Sequence, residues 1–143
     1  MYIQNLKITT EKEFTDITSV IQKIVDEQDI YNGMVYLNVM HTTCGLKIME
    51  NEILSFSDID EYLERQVPID GHYAHDKINL REVPPDERRN GYSHIRMLFF
   101  QSNLAIPIKL RKLCLGKWQR IILAEMDGAF PPRERMILIN IGV

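Results

Sequence analysis

Imidazole, hydroxyl and carboxylate side chains gather in short polar runs along this chain. His41-Thr42-Thr43 closes an apolar run, and Asn51 and Glu52 follow soon after. Tyr73-Ala74-His75-Asp76, Asn90-Gly91-Tyr92-Ser93-His94, Gln101-Ser102-Asn103 and Glu125-Met126-Asp127-Gly128 complete the set. Such groups move protons, and the imidazoles and hydroxyls among them donate hydrogen bonds to anions. His41, His75 and His94 together would also suit a divalent metal, zinc or magnesium, with an open position for a ligand. Each has a structural counterpart: His41 as the tie at a strand end, His75 with Asp76 as a loop-fixing pair, His94 as an ordinary helix-start residue. Asp76 beside His75 is also placed to orient the imidazole.

The elements that must position these groups follow from periodicity. Residues 2–10 alternate as a half-buried strand. Thr15-Asp16 offers an N-cap, and Ile17, Val20, Ile21, Ile24 and Val25 form one helical face. Asn32-Gly33 reads as the turn into a strand over 34–40, which makes a β-α-β opening. Ser57-Asp58 caps a second helix that ends before Pro68, its first-turn acids suiting the helix dipole. Residues 69–91 have little periodicity, and three of the four histidines lie in or beside them. A loop of some twenty residues in a compact domain tends to be functional.

Asn90 or Ser93 opens a short helix whose Ile95, Leu98 and Phe99 are expected to face inward. Leu104, Ile106 and Ile108 alternate around Pro107, which places that strand at an edge or bulge. Leu113, Leu115, Trp118–Ala124 and 135–143 supply the remaining strands. Trp118, Cys44 and Cys114 are expected in the core and His72 at the surface. Glu125, an acid in a strand, needs a partner: a site histidine or an arginine of a neighbouring chain.

At 143 residues, 45% hydrophobic and 26% charged, the chain fits one domain over 1–143 with an ordinary core. The two cysteines form no CxxC pair, so the default is reduced thiols in the cytoplasm. No signal pattern and no membrane-length apolar run is present. Residues 1–76 carry 5 lysines and arginines against 14 acids; residues 77–120 carry 10 against 3. That basic segment favours a small anionic, phosphorylated ligand or an acidic face of a neighbouring subunit. Nucleic acid is disfavoured, because the chain is acidic overall and its basic residues are not interleaved with stacking aromatics.

The order of these motifs resembles the YjbQ-like family, small proteins described as secondary thiamine-phosphate synthases. The resemblance runs over about residues 3–143. It rests on His41-Thr42-Thr43 with Asn51-Glu52, on Tyr73 to Asp76, and on Asn90-Gly91 with His94. It continues through Ser102 before Ile106-Pro107, Leu115-Gly116-Lys117-Trp118-Gln119 and Glu125 to Gly128. Two departures stand out. Tyr92 replaces the first histidine of a His-x-His element, and tyrosine is a poor ligand for a divalent metal. Arg111 stands where the family usually has glycine.

The resemblance implies an α+β fold: a mostly antiparallel β-sandwich or half-barrel with two to three helices. It implies a homotrimer with pockets near subunit interfaces. It implies a transferase joining a pyrimidine-methyl diphosphate to a thiazole phosphate with release of pyrophosphate. His41, His75, Asp76 and His94 would be the catalytic set, and Thr42, Thr43, Asn51, Glu52, Ser102 and Glu125 the ligand contacts. Arg96 would add charge if it points inward. Two other classes stay open: a metal-dependent hydrolase or phosphate-ester enzyme, and a non-catalytic trimeric binder of a small anion.

Overall fold

A computed structural model describes residues 1–143. Alternating apolar residues build the first sheet. Its strands are β1 (Tyr2–Thr10), β3 (Asn32–Val39), β5 (Asn103–Lys109), β6 (Lys112–Leu113) and β8 (Arg133–Gly142), in the order β1-β8-β3-β5-β6. The second sheet has β2 (Phe14–Asp16), β7 (Arg120–Glu125) and β4 (Cys44–Met49), in the order β2-β7-β4. All pairings are antiparallel. Three helices, α1 (Thr18–Glu27), α2 (Ile53–Gln66) and α3 (Gly91–Arg96), complete an α+β fold. No helix is long and apolar enough to cross a membrane.

β7 explains the layering. Its Ile121 and Leu123 join Val35, Leu37, Ile137 and Ile139 of the first sheet, with Ile21 and Val25 of α1, in the main core. Its alternate residues, Ile122 and Ala124, join Phe14 and Leu63 of α2 in a second core. A strand buried on both faces reads as a continuous apolar run, as Ile121-Ile122-Leu123-Ala124 does. The second sheet is therefore the middle layer. The outer face of the first sheet is left open, with Ile3, Tyr36 and Met40 exposed.

Several local expectations change. β2 and β4 were not foreseen, and Cys44-Gly45 opens β4 instead of making a turn. Asn32-Gly33 lies inside β3, paired with Lys109 and Ile108 of β5. α2 starts at Ile53, ahead of Ser57-Asp58, because Glu52 caps it, accepting from the amides of Leu54 and Ser55. α3 turns Tyr92, Ser93 and Arg96 inward, leaving Leu98 79% exposed and Ile95 and Phe99 also outside. Arg96 fixes that rotation: its Nε donates to the Val67 carbonyl at 3.0 Å and its Nη2 to Glu64 at 2.7 Å. Trp118 is 65% exposed and lies under the Lys117 ammonium rather than in the core. Cys114 is also at the surface, whereas Cys44 is buried and His72 exposed as expected.

Arg111 has a physical reading. Leu110 and Arg111 both take positive φ, 51° and 66°, in the β5–β6 hairpin, as the favoured primed turns require. Glycine enters that region freely, and this chain instead places two side chains there. The turn is held by the Arg111 amide on the Tyr31 carbonyl at 2.9 Å and by an Arg111–Asp29 ion pair.

At the edge of the second core, Phe14 stacks on Phe56 of α2 with ring centroids 4.7 Å apart. Beside them burial, and then the neighbouring Asp60 carboxylate, push Glu13 up to about 8. One oxygen of Asp60 is buried without a partner. Arg96 stands 4.0 Å from Glu13 but is bonded more closely to Glu64.

Candidate functional site

The end of β7 anchors the site. Glu125 and Arg135 of β8 form a buried pair, with Arg135 Nε 2.6 Å from Oε1 and a second bond from Nη2 to Oε2. Thr10 donates to the same carboxylate at 2.7 Å. Burial alone would raise the Glu125 carboxyl, but the Arg135 and Thr10 hydrogen bonds and the Arg135 charge hold it below the usual range. The partner of this acid is therefore an arginine of its own chain. Arg135 also reaches Thr43 Oγ1 at 3.1 Å. The Cys44 thiol nearby is pushed up to about 12, chiefly by burial, and is an inert thiol.

Two residues along, Asp127 gathers the loop that precedes α3. Its carboxylate accepts from Asn90 Nδ2 at 3.1 Å on both oxygens and from Thr43 at 3.4 Å, and pairs with Arg88 at 2.7 Å. Arg88 and Arg133 further donate to the Asp127 carbonyl at 3.0 and 3.2 Å. α3 thus enters at a fixed place, with His94 on its first turns.

His75 packs against His94, ring centroids 4.4 Å apart and tilted by 48°. A 3-10 turn over Ala74–Asp76 carries His75, and Asp76 fixes that turn by accepting from the Gly91 amide at 2.9 Å. Gly91 is required there, because a Cβ would overlap Tyr73. Asp76 lies 3.9 Å from His75 Nδ1, too far for a hydrogen bond, so it clamps the turn rather than orienting the imidazole. His75 Nδ1, Ser93 Oγ and Asn90 Oδ1 are buried without partners. Arg81 donates to the His75 carbonyl at 3.0 Å. Burial lowers His94 below the ordinary imidazole range, His75 and Arg81 lower it further, and Asp127 opposes them.

His41 is positioned separately. Its Nε2 accepts from the Met136 amide at 2.8 Å, which keeps the ring neutral with its proton on Nδ1. Burial and then Arg135 lower it, against Glu125. Thr43 links the two regions, since it touches both Arg135 and Asp127. Thr42 is exposed. Ser102 is exposed and offers its carbonyl to Val39 at 2.7 Å. Asn51 lines a cavity with Glu13 and Asp60, and Glu52 caps α2. None of Asn51, Glu52 and Ser102 hydrogen-bonds to the imidazole pair. No three His, Cys, Asp or Glu side chains gather as a metal-holding group within this chain. The arrangement therefore offers two touching imidazoles, one orphaned nitrogen and nearby guanidinium groups, which suit anion binding and proton transfer.

Asp127, Asn90, Arg81, Arg88, Thr10 and Arg135 were not among the catalytic and ligand-binding residues expected from the sequence. Asp127 and Asn90 lie in motifs noted there. The others carry no local signal, because their roles come from pairing across the fold.

The family model described as UPF0047 protein YjbQ-like matches residues 3–142. A UPF0047 protein of Methanothermobacter thermautotrophicus is 33% identical over 99% of this chain and 92% of its own. One from Archaeoglobus fulgidus is 32% identical over 94% of this chain and 95% of its own. Among solved structures, a hypothetical protein from Aeropyrum pernix K1 aligns with TM-score 0.82 at 27% identity, covering 99% of this chain and 98% of that one. A YbjQ-like protein of unknown function from Sulfolobus solfataricus P2 gives 0.81 at 28% identity, covering 98% and 95%.

Proposed function

The chain belongs to the YjbQ-like UPF0047 family, and from its imidazole pair we propose that it binds a small phosphorylated ligand and assists the departure of a phosphate or diphosphate group. The observation that carries this is the His75–His94 contact at 4.4 Å with His75 Nδ1 left without a partner. An anion there would accept from the imidazoles beside Arg81, in the basic part of the chain. Charge developing on a leaving phosphate oxygen is stabilised by such fixed donors. In its most specific form, the reaction is the one the resemblance supplies. The thiazole nitrogen attacks the methylene of a pyrimidine-methyl diphosphate, a C–N bond forms, the C–O bond breaks, and pyrophosphate leaves with the electron pair. The setting is cytoplasmic, which suits the two unpaired cysteines.

A homotrimer belongs to the same proposal. The open face of the first sheet supports self-association: Ile3 and Tyr36 are exposed around Asn140, whose side-chain amide oxygen is buried and unpartnered. Light scattering of wild type and Tyr36→Glu tests it, and a wild-type monomer at micromolar concentration would refute it.

Turnover of the two precursors, with wild type and His94→Gln compared across pH, tests the chemistry. Because His94 sits below the usual imidazole range, phosphate should bind more tightly as pH falls through and below about 6.5, and His94→Gln should lose that trend. The same pH dependence in both proteins would remove His94 from the site. Phosphate binding without turnover would leave a non-catalytic anion binder.

A further inference from the structure

Next to the imidazole pair, on the other side of the Ala74–Asp76 turn, lies a cavity of about 580 Å³ that the site described so far does not use. Asp70, His72, Tyr73, Asp76, Lys77 and Arg89 are among its lining residues. Its volume is in the range that holds a small metabolite.

The cation content of the cavity is unusual within this chain. Of the nine arginines in the sequence, Arg89 alone has no carboxylate or carbonyl partner; the others are each bonded within the fold. Its neighbour Arg88 is taken by Asp127, so the two adjacent guanidiniums point to different jobs. Lys77 also lacks a carboxylate partner and lines the same space. Neither acid of the lining stands within ion-pairing distance of them. Asp76 turns one oxygen to the Gly91 amide, and Asp70 forms no ion pair with either cation. Tyr73 has its hydroxyl on the Pro68 carbonyl at 2.6 Å, which leaves its ring as a wall. A planar guanidinium with free donors beside an ammonium is the pairing that recognises a phosphate.

We propose that this cavity is a second anion subsite of the same centre and takes a phosphate monoester on Arg89 and Lys77. The imidazole pair would hold another phosphoryl group across the turn, and in this respect the inference rests on the function proposed above. Asp76 then has a positioning role, because its hold on the Gly91 amide fixes the wall that the two subsites share. A protein that brings two phosphorylated reactants together, or one ligand with two phosphates, needs such a pair of sites.

Titration of the 143-residue chain with inorganic phosphate, followed by NMR, tests this. The Arg89 Nε–Hε signal and the Lys77 amide report the cavity; the His75 and His94 ring signals report the pair. Both sets should move, each with its own curve. Arg89→Met should weaken the Lys77 curve about tenfold, the effect of removing one charged hydrogen-bonding partner, and leave the imidazole curve unchanged. His94→Gln should do the reverse. Arg89 is exposed, so its replacement should not unfold the chain. Cavity signals that stay put while the imidazoles move would overturn the subsite alone. An Arg89→Met protein with an unchanged Lys77 curve would do the same. Imidazole signals that stay put would overturn the reading of the pair, and with it a shared centre.

Discussion

Replacing Glu13 by glutamine should make the protein less sensitive to alkali. Glu13 rises from 4.5 to about 8, first through burial and then through Asp60, so the folded chain holds a proton there that the unfolded chain releases. The sign follows from that difference. The folded state is favoured fully below pH 4.5, and its advantage shrinks as pH rises to about 8. A full proton of linkage would change stability by roughly 1.4 kcal/mol for each pH unit. The Glu13 side chain is 32% exposed, however, and solvent screening there reduces the effect. About 2 kcal/mol across the whole window is therefore the expected scale. The amide of the Glu13→Gln protein keeps a donor for Asp60 and cannot ionise. Urea unfolding of both proteins from pH 5 to 9 gives the difference directly, and the histidines cancel in it. The variant should gain on wild type as pH rises. A difference that stays flat with pH would refute the shared proton between Glu13 and Asp60.

Arg135→Met strands a fully buried Glu125, so stability should fall by about 3–5 kcal/mol, and adding Glu125→Leu should recover much of it in urea unfolding. Wild type should also weaken in acid, because the Glu125 carboxyl lies below its ordinary value and its contribution is lost as pH falls through that depressed value. Leu110→Gly should raise stability by about 0.5–1 kcal/mol: relief of a positive φ is worth ~1–2 kcal/mol, glycine returns part of it as chain entropy, and the side chain is 54% exposed. A lower melting temperature would count against that. Gly91→Ala should push the Tyr73–Asp76 turn off α3 at a cost of about 1–3 kcal/mol, and the ring signals of His75 and His94 should lose their response to phosphate.

The strands of the first sheet were readable because one face is wet and one dry, which imposes a period of two on Tyr2–Thr10 and on Leu104–Ile108. The second sheet was legible only in part: Trp118–Ala124 reads as the strand that is β7, while β2 and β4 beside it do not show. β7 is dry on both faces, and β4 holds Gly45 and Lys47, so neither marks its partners by alternation. The inward face of α3 was misread because its rotation is set by Arg96 binding Glu64 and Val67, contacts far away in sequence. Ile95, Leu98 and Phe99 keep helical spacing and still face outward. In the site, the motifs around His75 and His94 were visible but their contact was not. It depends on Asp76 finding the Gly91 amide and on Asp127 finding Asn90. Glu125 was legible as an acid that needed a counterion, whereas Arg135 is brought to it by the register between β8 and its neighbours.

The pairing of β1 bears on how the chain is made. β1 is synthesised long before the one strand it pairs with, β8; Tyr2 lies opposite Ile141 and Thr10 opposite Arg133. β3 waits for β5 and β8 in the same way. During synthesis, then, β1 has an edge without a partner until β8 has been made. Contacts so distant along the chain form slowly, and unpaired strands are the parts of a nascent protein that aggregate. Lys7, in the middle of β1, places a charge on that waiting strand and works against stray pairing with another newborn chain.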